Sequence, residues 1–216
     1  MLPPAEQHHA RVARMRGGEE VEVFDGRGTI ASARISRITR DEVALEVGAP
    51  ILRRESSLSL RLAMALIQLE KFELVLQKAT ELGVSAILPL LTDRGEVRVD
   101  RVKGKSERWE KIVLEAAKQS GRATIPRIEP PASFGSAIRG EGTPILFEAE
   151  AEPRPATSAS GATLFIGPEG GWSEDEIRLA VESGAAIERL GPRRLRAETA
   201  AMAALTIIGA RFGDLR

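Results

Sequence analysis

A glycine-rich turn between an apolar run and an acidic helix start is the first place in this sequence where a ligand could bind. It lies in TLFIGPEGGWSEDEI, residues 163–177. Ser173 and Glu176 have the spacing of a capping box, which predicts a helix directly after GPEGGW. The acids at 174–176 suit the helix dipole but weaken a phosphate site, which needs free N–H groups and positive potential. The turn also lacks the glycine spacings of P-loops and dinucleotide folds, so an adenosine ligand without phosphates, such as S-adenosylmethionine, fits it better.

A second turn that could hold a ligand lies in LGPRRLRAETAAMAALTIIGARFG, residues 190–213. Gly191 and Pro192 end a strand, arginines follow at 193, 194 and 196, and a helix starts near Glu198. The arginines are equally consistent with ordinary surface charge. The helix is apolar almost all round, which predicts burial on several sides, partly by another subunit.

Charge and composition limit the classes of function. The 216 residues carry a formal net charge of zero, which argues against a generally cationic nucleic-acid coat. Basic residues predominate in 92–130 and 189–216, so one face can still attract phosphate. The absence of cysteine excludes disulfides, thiolate chemistry and cysteine metal sites. Neither a membrane-spanning run nor a secretion signal is found, so we expect a cytoplasmic protein with no membrane partner.

The first 55 residues have the pattern of short strands. EEVEVFDG alternates apolar and acidic residues and closes on Asp25 and Gly26, and EVALEV alternates again. Alternating segments at roughly ten-residue spacing, broken by glycine and aspartate, predict a small antiparallel barrel.

From Ser57 onward, predicted strands alternate with predicted helices. Strands are expected in LSLRLAMAL, SAILPLL, TPILFEA, TLFIGPEGG and AAIERLG, and helices in EKFELVLQKATELG, KSERWEKIVLEAAKQSG, SEDEIRLAVESG and AETAAMAALTIIGARFG. The first of these helices ends at Gly83 and has one apolar face, made of Phe72, Val75, Leu76, Ala79 and Leu82. Such alternation predicts a mostly parallel α/β sheet covered on both faces.

Several of these segments together resemble one family. LFIGPEGGWSEDEI, LGPRRLRAETAAMAAL and RFGDL are similar to motifs of the RsmE family, the 16S rRNA (uracil-N3)-methyltransferases of the SPOUT superfamily. FELVLQKATELGVSAILPLLTDR, RWEKIVLEAAKQSGRATIPRI and HHARVARMRGGEEVEVFDGRG also match in order and spacing. The resemblance implies a PUA-like RNA-binding β-barrel at 1–55. It also implies a SPOUT methyltransferase domain with a deep trefoil knot at 56–216, working as a homodimer.

The resemblance also implies where S-adenosylmethionine binds. In such enzymes the cofactor lies bent in the knot and is held by three loops, whose glycines let the backbone approach the ligand closely. The implied cofactor-binding residues are Leu146, Phe147, Glu148, Ile166, Gly167, Pro168, Glu169, Gly170, Gly171, Leu190, Gly191, Leu195, Arg196 and Thr199.

The implied reaction transfers a methyl group to N3 of one uridine in the decoding region of 16S rRNA, on the assembled small subunit. The N3 proton must leave and the uracil anion must be stabilised, but no metal is needed because the sulfonium is already activated. Arg196 is the first candidate for stabilising the anion. Glu198 is a candidate general base or a helix cap, and Arg193 could do either catalytic task. Glu169 could pair with the sulfonium or an arginine, or serve only the turn.

RNA contacts are expected away from the cofactor loops. Matching motifs imply contacts from Lys78, Glu81, Arg94, Gln119 and Arg122, although each is also consistent with a polar residue on a helix surface. In the N-terminal domain, phosphate contacts are expected from His8, His9, Arg11 and Arg14. Adjacent histidines on a strand point to opposite sides, so no shared metal site is expected there.

The chain departs from the family pattern in places. MLPPAEQHH lacks the basic-aromatic strand that usually precedes the HH segment, so we expect a shortened barrel or a weaker RNA contact. Gln68 and Leu69 stand where a basic residue and glycine are common, Gly95 where serine or cysteine is common, and Ala197 where threonine is common. None lies in the two glycine loops, so the departures bear on the target more than on the cofactor.

Three other functions stay open on sequence alone. The chain could be a SPOUT methyltransferase for tRNA or another rRNA position, or a non-catalytic ribosome-assembly factor that binds RNA. The intact GPEGG and LRAET loops count against the second of these. A generic nucleotide-binding α/β protein is disfavoured by the acids after the glycine turn.

Overall fold

The structure is a computed structural model that describes residues 2–40, 42–52, 55–97, 100 and 102–215. It divides into two compact units between Glu55 and Ser56. The short segment Arg122–Thr124 belongs to the first unit, and the remainder of the chain after Ser56 forms the second.

The first unit combines one helix with an antiparallel sheet. Helix α1 spans Pro4–Val12, and strands β1 (Glu20–Phe24), β2 (Ile30–Ile38) and β3 (Val43–Ile51) pair in the order β1-β2-β3. The predicted antiparallel strands are therefore present. Ala10, Ile35 and Val43 form the buried centre of this unit.

Helix α1 corrects the prediction for the adjacent histidines. We expected His8 and His9 on a strand, but both lie within α1 and both are exposed. Pro4 is tolerated in the first turn of a helix, where its missing N–H has no intrahelical partner to lose. Gln7 and Ala10, three residues apart, turn inward on one face, and this helical spacing overrides the expected strand.

The second unit is built on a wholly parallel sheet, as the alternating pattern predicted. Its order is β10-β8-β9-β4-β5-β6, and β7 also pairs with β5. The strands are β4 (Ser59–Ala65), β5 (Ala86–Leu91), β6 (Arg127–Ile128), β7 (Ala132–Ser133), β8 (Thr143–Phe147), β9 (Gly161–Ile166) and β10 (Ala186–Glu188).

Helices cover both faces of this sheet. They are α2 (Leu69–Glu81), α3 (Ser106–Ser120), α4 (Phe134–Ala137), α5 (Glu174–Glu182) and α6 (Ala197–Phe212). Alternate side chains of each strand point to opposite faces of the sheet. Leu164 and Ile166 of β9 join one buried cluster with α2 and α6, whereas Phe165 joins the other. No helix in the described ranges is long and apolar enough to cross a membrane.

The chain returns from the sheet edge to its centre after the last strand. β10 pairs with β8 at the edge, but α6 packs against α2, β4 and β9. This path is compatible with a knotted topology, and the deep trefoil knot itself stays a prediction from the family resemblance.

We predict that the β1–β2 turn loses hydrogen bonds on acidification. The N–H groups of Arg27 and Thr29 donate to Oδ1 of Asp25 at 2.7 and 3.0 Å, and these bonds hold the pKa of Asp25 below its ordinary value. A lowered folded-state pKa means that the stabilisation is present above the ordinary carboxyl pKa and is lost as the pH falls through the lowered one. An NMR titration of both amide resonances should therefore show a midpoint below the ordinary aspartate value.

The Asp25→Asn variant is the control for this titration. Without an ionisable group at position 25, the pH-dependent shift of the two amides should disappear. A midpoint at or above the ordinary value in the wild type, or an unchanged titration in the variant, would contradict the assignment.

Candidate active site

Three loops leave the sheet of the second unit at the carboxyl ends of its strands. Phe147 at the end of β8 pairs with Ile166 of β9 and with Glu188 of β10. Because these strands are parallel and in register, the chain leaves them at the same level. Ligands of open α/β sheets bind outside the carboxyl ends of the strands, so the candidate site lies at this end of the sheet.

A cavity of about 390 Å³ lies between these loops. Its lining combines apolar side chains, backbone at glycines, two carboxylates and three arginines. The lining residues are Phe147, Glu148, Ala149, Ile166, Gly167, Pro168, Glu169, Gly171, Trp172, Leu190, Gly191, Arg193, Arg194, Leu195, Arg196, Ala197 and Ala200.

The cavity collects every residue of the expected cofactor set except three. Leu146 is fully buried in the core under the other sheet face, Gly170 lines a neighbouring cavity, and Thr199 is exposed on α6. Sequence reasoning missed the lining residues Ala149, Trp172 and Ala200, whereas Arg194 and Ala197 lie within the predicted third loop, residues 190–199, without having been singled out. Trp172 could have been inferred from the sequence, because it directly follows GPEGG.

Trp172 joins two of the three loops. Its indole Nε1–H donates to the carbonyl oxygen of Phe147 at 3.0 Å, and its ring lies against Gly167. A Cβ on Gly167 would be 3.0 Å from Cε2 of this ring, so a side chain there would have to displace the ring by a few tenths of an ångström. Phe134 packs on the same indole at a centroid distance of 4.9 Å.

The loop after β5 holds the glycine turn from another side. Ser173 Oγ donates to Asp93 Oδ2 at 2.6 Å, and the N–H of Asp93 donates to Glu176 Oε1 at 3.1 Å. Arg94 Nη1 donates to the carbonyl of Gly170 at 3.2 Å. The predicted RNA contact Arg94 thus also supports the turn.

The acids at the start of α5 do not line the cavity. Glu176 completes the predicted capping box and is buried, and Asp175 pairs with Arg178 at 2.7 Å on the helix surface. The carboxylates that do line the cavity are Glu148 and Glu169. Glu169 also accepts a hydrogen bond from Lys71 Nζ at 3.1 Å, rather than from an arginine.

The arginine loop and the start of α6 form the third side. Arg193, Arg194 and Arg196 line the cavity and are exposed, and Arg194 pairs with Glu150 at 3.2 Å. Arg196 is the N-cap of α6, but its side chain makes no capping hydrogen bond. Glu198, the predicted general base, does not line the cavity, and its buried Oε2 has no hydrogen-bond partner among the described residues.

Comparison with known proteins identifies the family. The family model of the RNA methyltransferase domain matches residues 54–209, and that of the RNA methyltransferase PUA domain matches residues 2–48. Ribosomal RNA small subunit methyltransferase E from Synechocystis sp. is 34% identical, with 97% of this chain and 72% of the relative aligned. The chain belongs to the ribosomal RNA small subunit methyltransferase E family. It is therefore an RNA methyltransferase, and the resemblance stated from the motifs is confirmed.

Further relatives agree with this assignment. The Bacillus subtilis ribosomal RNA small subunit methyltransferase E is 32% identical over 94% of this chain and 86% of its own. The crystal structure of the Neisseria gonorrhoeae enzyme, bound to S-adenosyl methionine, has a TM-score of 0.91 at 32% identity, covering 100% of this chain and 92% of that one. A Legionella pneumophila structure in complex with the same cofactor has a TM-score of 0.86 at 34% identity, with the same coverage.

The predicted RNA contacts of this methyltransferase differ in accessibility. Lys78 Nζ bonds both carboxylate oxygens of Glu81 at 2.9 and 3.0 Å, whereas Gln119 is exposed on α3. The Arg122 side chain is 10% exposed and pairs with Glu55 at 3.1 Å, so it is not presented as a surface cation.

In the first unit, Arg11 donates to Gln7 Oε1 and to the carbonyl of Thr39, and Arg14 is exposed with a φ of 55°. His8 and His9 are both exposed on α1. Throughout the described ranges, no group of three or more His, Cys, Asp or Glu side chains could hold a metal ion.

We predict that Gly167→Ala destabilises the second unit. The new methyl group would press on the Trp172 ring and strain its bond to Phe147. Overpacking of this kind costs about 1–3 kcal/mol. Chemical denaturation followed by tryptophan fluorescence should report a lower free energy of unfolding.

Gly135→Ala is the matched control, because a Cβ there would meet only Leu179 Cδ2 at an ordinary 3.5 Å. It should leave the free energy of unfolding nearly unchanged. Equal stability of the two variants would show that Gly167 is not required for the indole contact.

Proposed function

We propose that this enzyme binds S-adenosylmethionine in the three-loop cavity and transfers its methyl group to N3 of one uridine in the decoding region of 16S rRNA. One observation carries the proposal: the three loops that match the family motifs meet around a single cavity at the carboxyl ends of parallel strands. The similar Neisseria gonorrhoeae structure has this cofactor bound.

The cavity is chemically suited to the cofactor. Its volume of about 390 Å³ falls within the range of small-molecule sites. Phe147, Ile166 and Leu190 offer an apolar surface to an adenine ring, and the carboxylate of Glu148 can balance a sulfonium charge. These residues are therefore compatible with an adenosine ligand that carries a positive charge.

The side chains of this cavity have three tasks in the proposed reaction. Bound S-adenosylmethionine supplies an activated methyl group, so the protein must orient the uracil ring, take up its N3 proton and stabilise the resulting anion. We assign anion stabilisation to Arg196, with Arg193 as the alternative. The carbonyl of Arg196 accepts the N–H of Ala200 at 2.8 Å, which fixes this residue at the start of α6 while its guanidinium group stays uncommitted to a cap.

We further assign the substrate to 16S rRNA within assembled small subunits in the cytoplasm. The first unit would offer His9, Arg11 and Arg14 to phosphate groups, and the second unit would offer Arg94 and Gln119. With no net charge on the chain, long-range attraction to RNA is weak, and selection of one uridine would depend on the shape of the subunit.

Helix α6 supports a homodimer. It buries Ala201, Ala204, Leu205 and Ile208, as the apolar sequence predicted, but its outer side still carries apolar residues beside two threonines and leaves Ile207 39% exposed. We propose that a second copy of the chain covers this outer side.

We predict that the purified protein methylates small subunits that lack the modification. Labelled methyl transfer from S-adenosylmethionine, followed by nucleoside mass spectrometry, should yield N3-methyluridine. Deproteinised 16S rRNA should be a much poorer substrate, since the proposed recognition depends on the assembled surface. Transfer to another nucleoside would assign a different target, and cofactor binding with no transfer to any RNA would favour the assembly-factor function.

We predict that Arg196→Ala lowers kcat for this transfer by about 100-fold, the usual cost of removing one group that stabilises a developing anion. Single-turnover kinetics and S-adenosylmethionine affinity should be measured together. Arg178→Ala, which removes an exposed arginine on α5, is the matched control and should keep normal turnover. Near-normal turnover of Arg196→Ala would remove this residue from the mechanism and leave Arg193 as the candidate.

A further inference from the structure

A second, larger cavity lies beside the first in the same unit. Its volume is about 650 Å³, and it is formed by the turn from β4 into α2, the loop after β5, and the glycine turn. Pro168 and Glu169 line both cavities, so the two cavities adjoin at this short segment, which is called the wall below. A ligand in either cavity would therefore contact the same turn.

The wall is held from the side of the second cavity. Lys71, in the first turn of α2, donates to Glu169 Oε1 at 3.1 Å, and Arg94 donates to the carbonyl of Gly170 at 3.2 Å. A Cβ on Gly170 would lie 3.2 Å from Cβ of Arg94, so the two backbones are close. The Glu169 side chain is nevertheless 50% exposed, which leaves its carboxylate accessible to a ligand.

The polar groups of the second cavity suit an uncharged base. Lys71 and Arg94 are opposed there by Glu70, Glu96 and Glu169, so the lining has no excess of positive charge for a phosphate. Gln68 contributes an exposed amide that can both donate to and accept from a pyrimidine ring.

We propose that the second cavity receives the acceptor uracil and that Glu169 accepts its N3 proton. This inference rests on the proposed function, because it assumes that the first cavity holds the methyl donor. Methyl transfer requires donor and acceptor to meet, and the shared wall is where the contents of the two cavities are closest. Glu169 is the carboxylate that reaches both: Glu148 lines only the first cavity, Glu70 and Glu96 line only the second, and Glu198 lines neither.

The step balances without another reactant. The Glu169 carboxylate takes the N3 proton, the N3 electron pair forms the new bond to the methyl carbon, and the carbon–sulfur bond breaks with its electron pair remaining on sulfur. One cation and one carboxylate are thereby converted into a neutral thioether and a neutral carboxylic acid. Lys71 is a positioning residue, whose ammonium group keeps the carboxylate at the wall before the proton moves.

The test compares Glu169→Gln with the wild type on small subunits that lack the modification. Glu174→Gln is the matched control, because Glu174 is an exposed acid of the neighbouring helix and lines neither cavity. We expect Glu169→Gln to lower kcat at neutral pH by about 100-fold or more, the usual contribution of a general base. We expect its rate to recover as the pH rises, because solvent then removes the N3 proton, whereas Glu174→Gln should follow the wild type throughout.

Cofactor affinity separates proton transfer from charge pairing. If Glu169 served only to balance the sulfonium, Glu169→Gln would weaken binding of S-adenosylmethionine but not of neutral S-adenosylhomocysteine. The inference predicts an unchanged ratio of the two affinities together with the lost turnover. A changed ratio that accounts for the whole loss, or normal kcat at neutral pH, would overturn it.

Lys71 provides a second, independent readout. Lys71→Met should lower kcat and steepen the pH profile without altering the affinity ratio. Lys71→Arg should restore most of the turnover, and equal behaviour of the two variants would refute the positioning role.

If the wild type itself forms no N3-methyluridine, the proposed function fails and this inference fails with it. Wild-type N3-methyluridine with a fully active Glu169→Gln overturns the inference alone.

Discussion

The hydrogen bond from the Trp172 indole to the Phe147 carbonyl is the interaction on which the rest of the site depends. It joins the end of β8 to the turn that follows β9, and the two strands are parallel neighbours. Glycine at 167 favours this contact, because a Cβ there would lie only 3.0 Å from the ring. A buried N–H and a buried carbonyl satisfy each other in this bond, so breaking it would cost more than one ordinary surface hydrogen bond.

Hydrogen bonding of the buried acid explains how an acidic helix start coexists with a ligand cavity. Glu176 accepts from the N–H groups of both Ser173 and Asp93, so its charge stabilises the helix start and the loop after β5 together. Arg94 then ties that loop to Gly170. The glycine turn is therefore supported from two sides, by Trp172 and by the β5 loop, and the acids that support it face away from the cavity.

Local spacing made much of this fold predictable from sequence. The capping box at Ser173, the apolar face of α2 and the left-handed Gly83 and Gly121 are set by residues a few positions apart. Apart from α1, where a helix of nine residues stands in place of the expected strand, what sequence reasoning missed depends on partners that are distant along the chain or on very short elements. Strands β6 and β7 have two residues each, too few to show a period.

The ion pairs at the predicted site residues illustrate the same limit. Arg122 matched a family motif and was expected to contact RNA, but it pairs with Glu55, 67 positions earlier. Glu169 was expected to face a sulfonium or an arginine, and its partner Lys71 lies 98 positions away on α2. A motif identifies which residue types meet a ligand, but only the packed chain determines which charges are already neutralised.

The three loops around the cavity are held unequally, and this has a mechanistic consequence. The glycine turn is fixed on both sides, and the end of β8 is fixed by Trp172. The arginine loop, by contrast, passes through Gly191 at a φ of 106° and exposes Arg193 and Arg194. Arg194 pairs with the equally exposed Glu150, and Arg196 is anchored at the start of α6. If methyl donor and uracil meet at this wall, as proposed, a wall held on both sides and opposed by a less constrained cationic loop would leave adjustment to the uracil anion to the arginines.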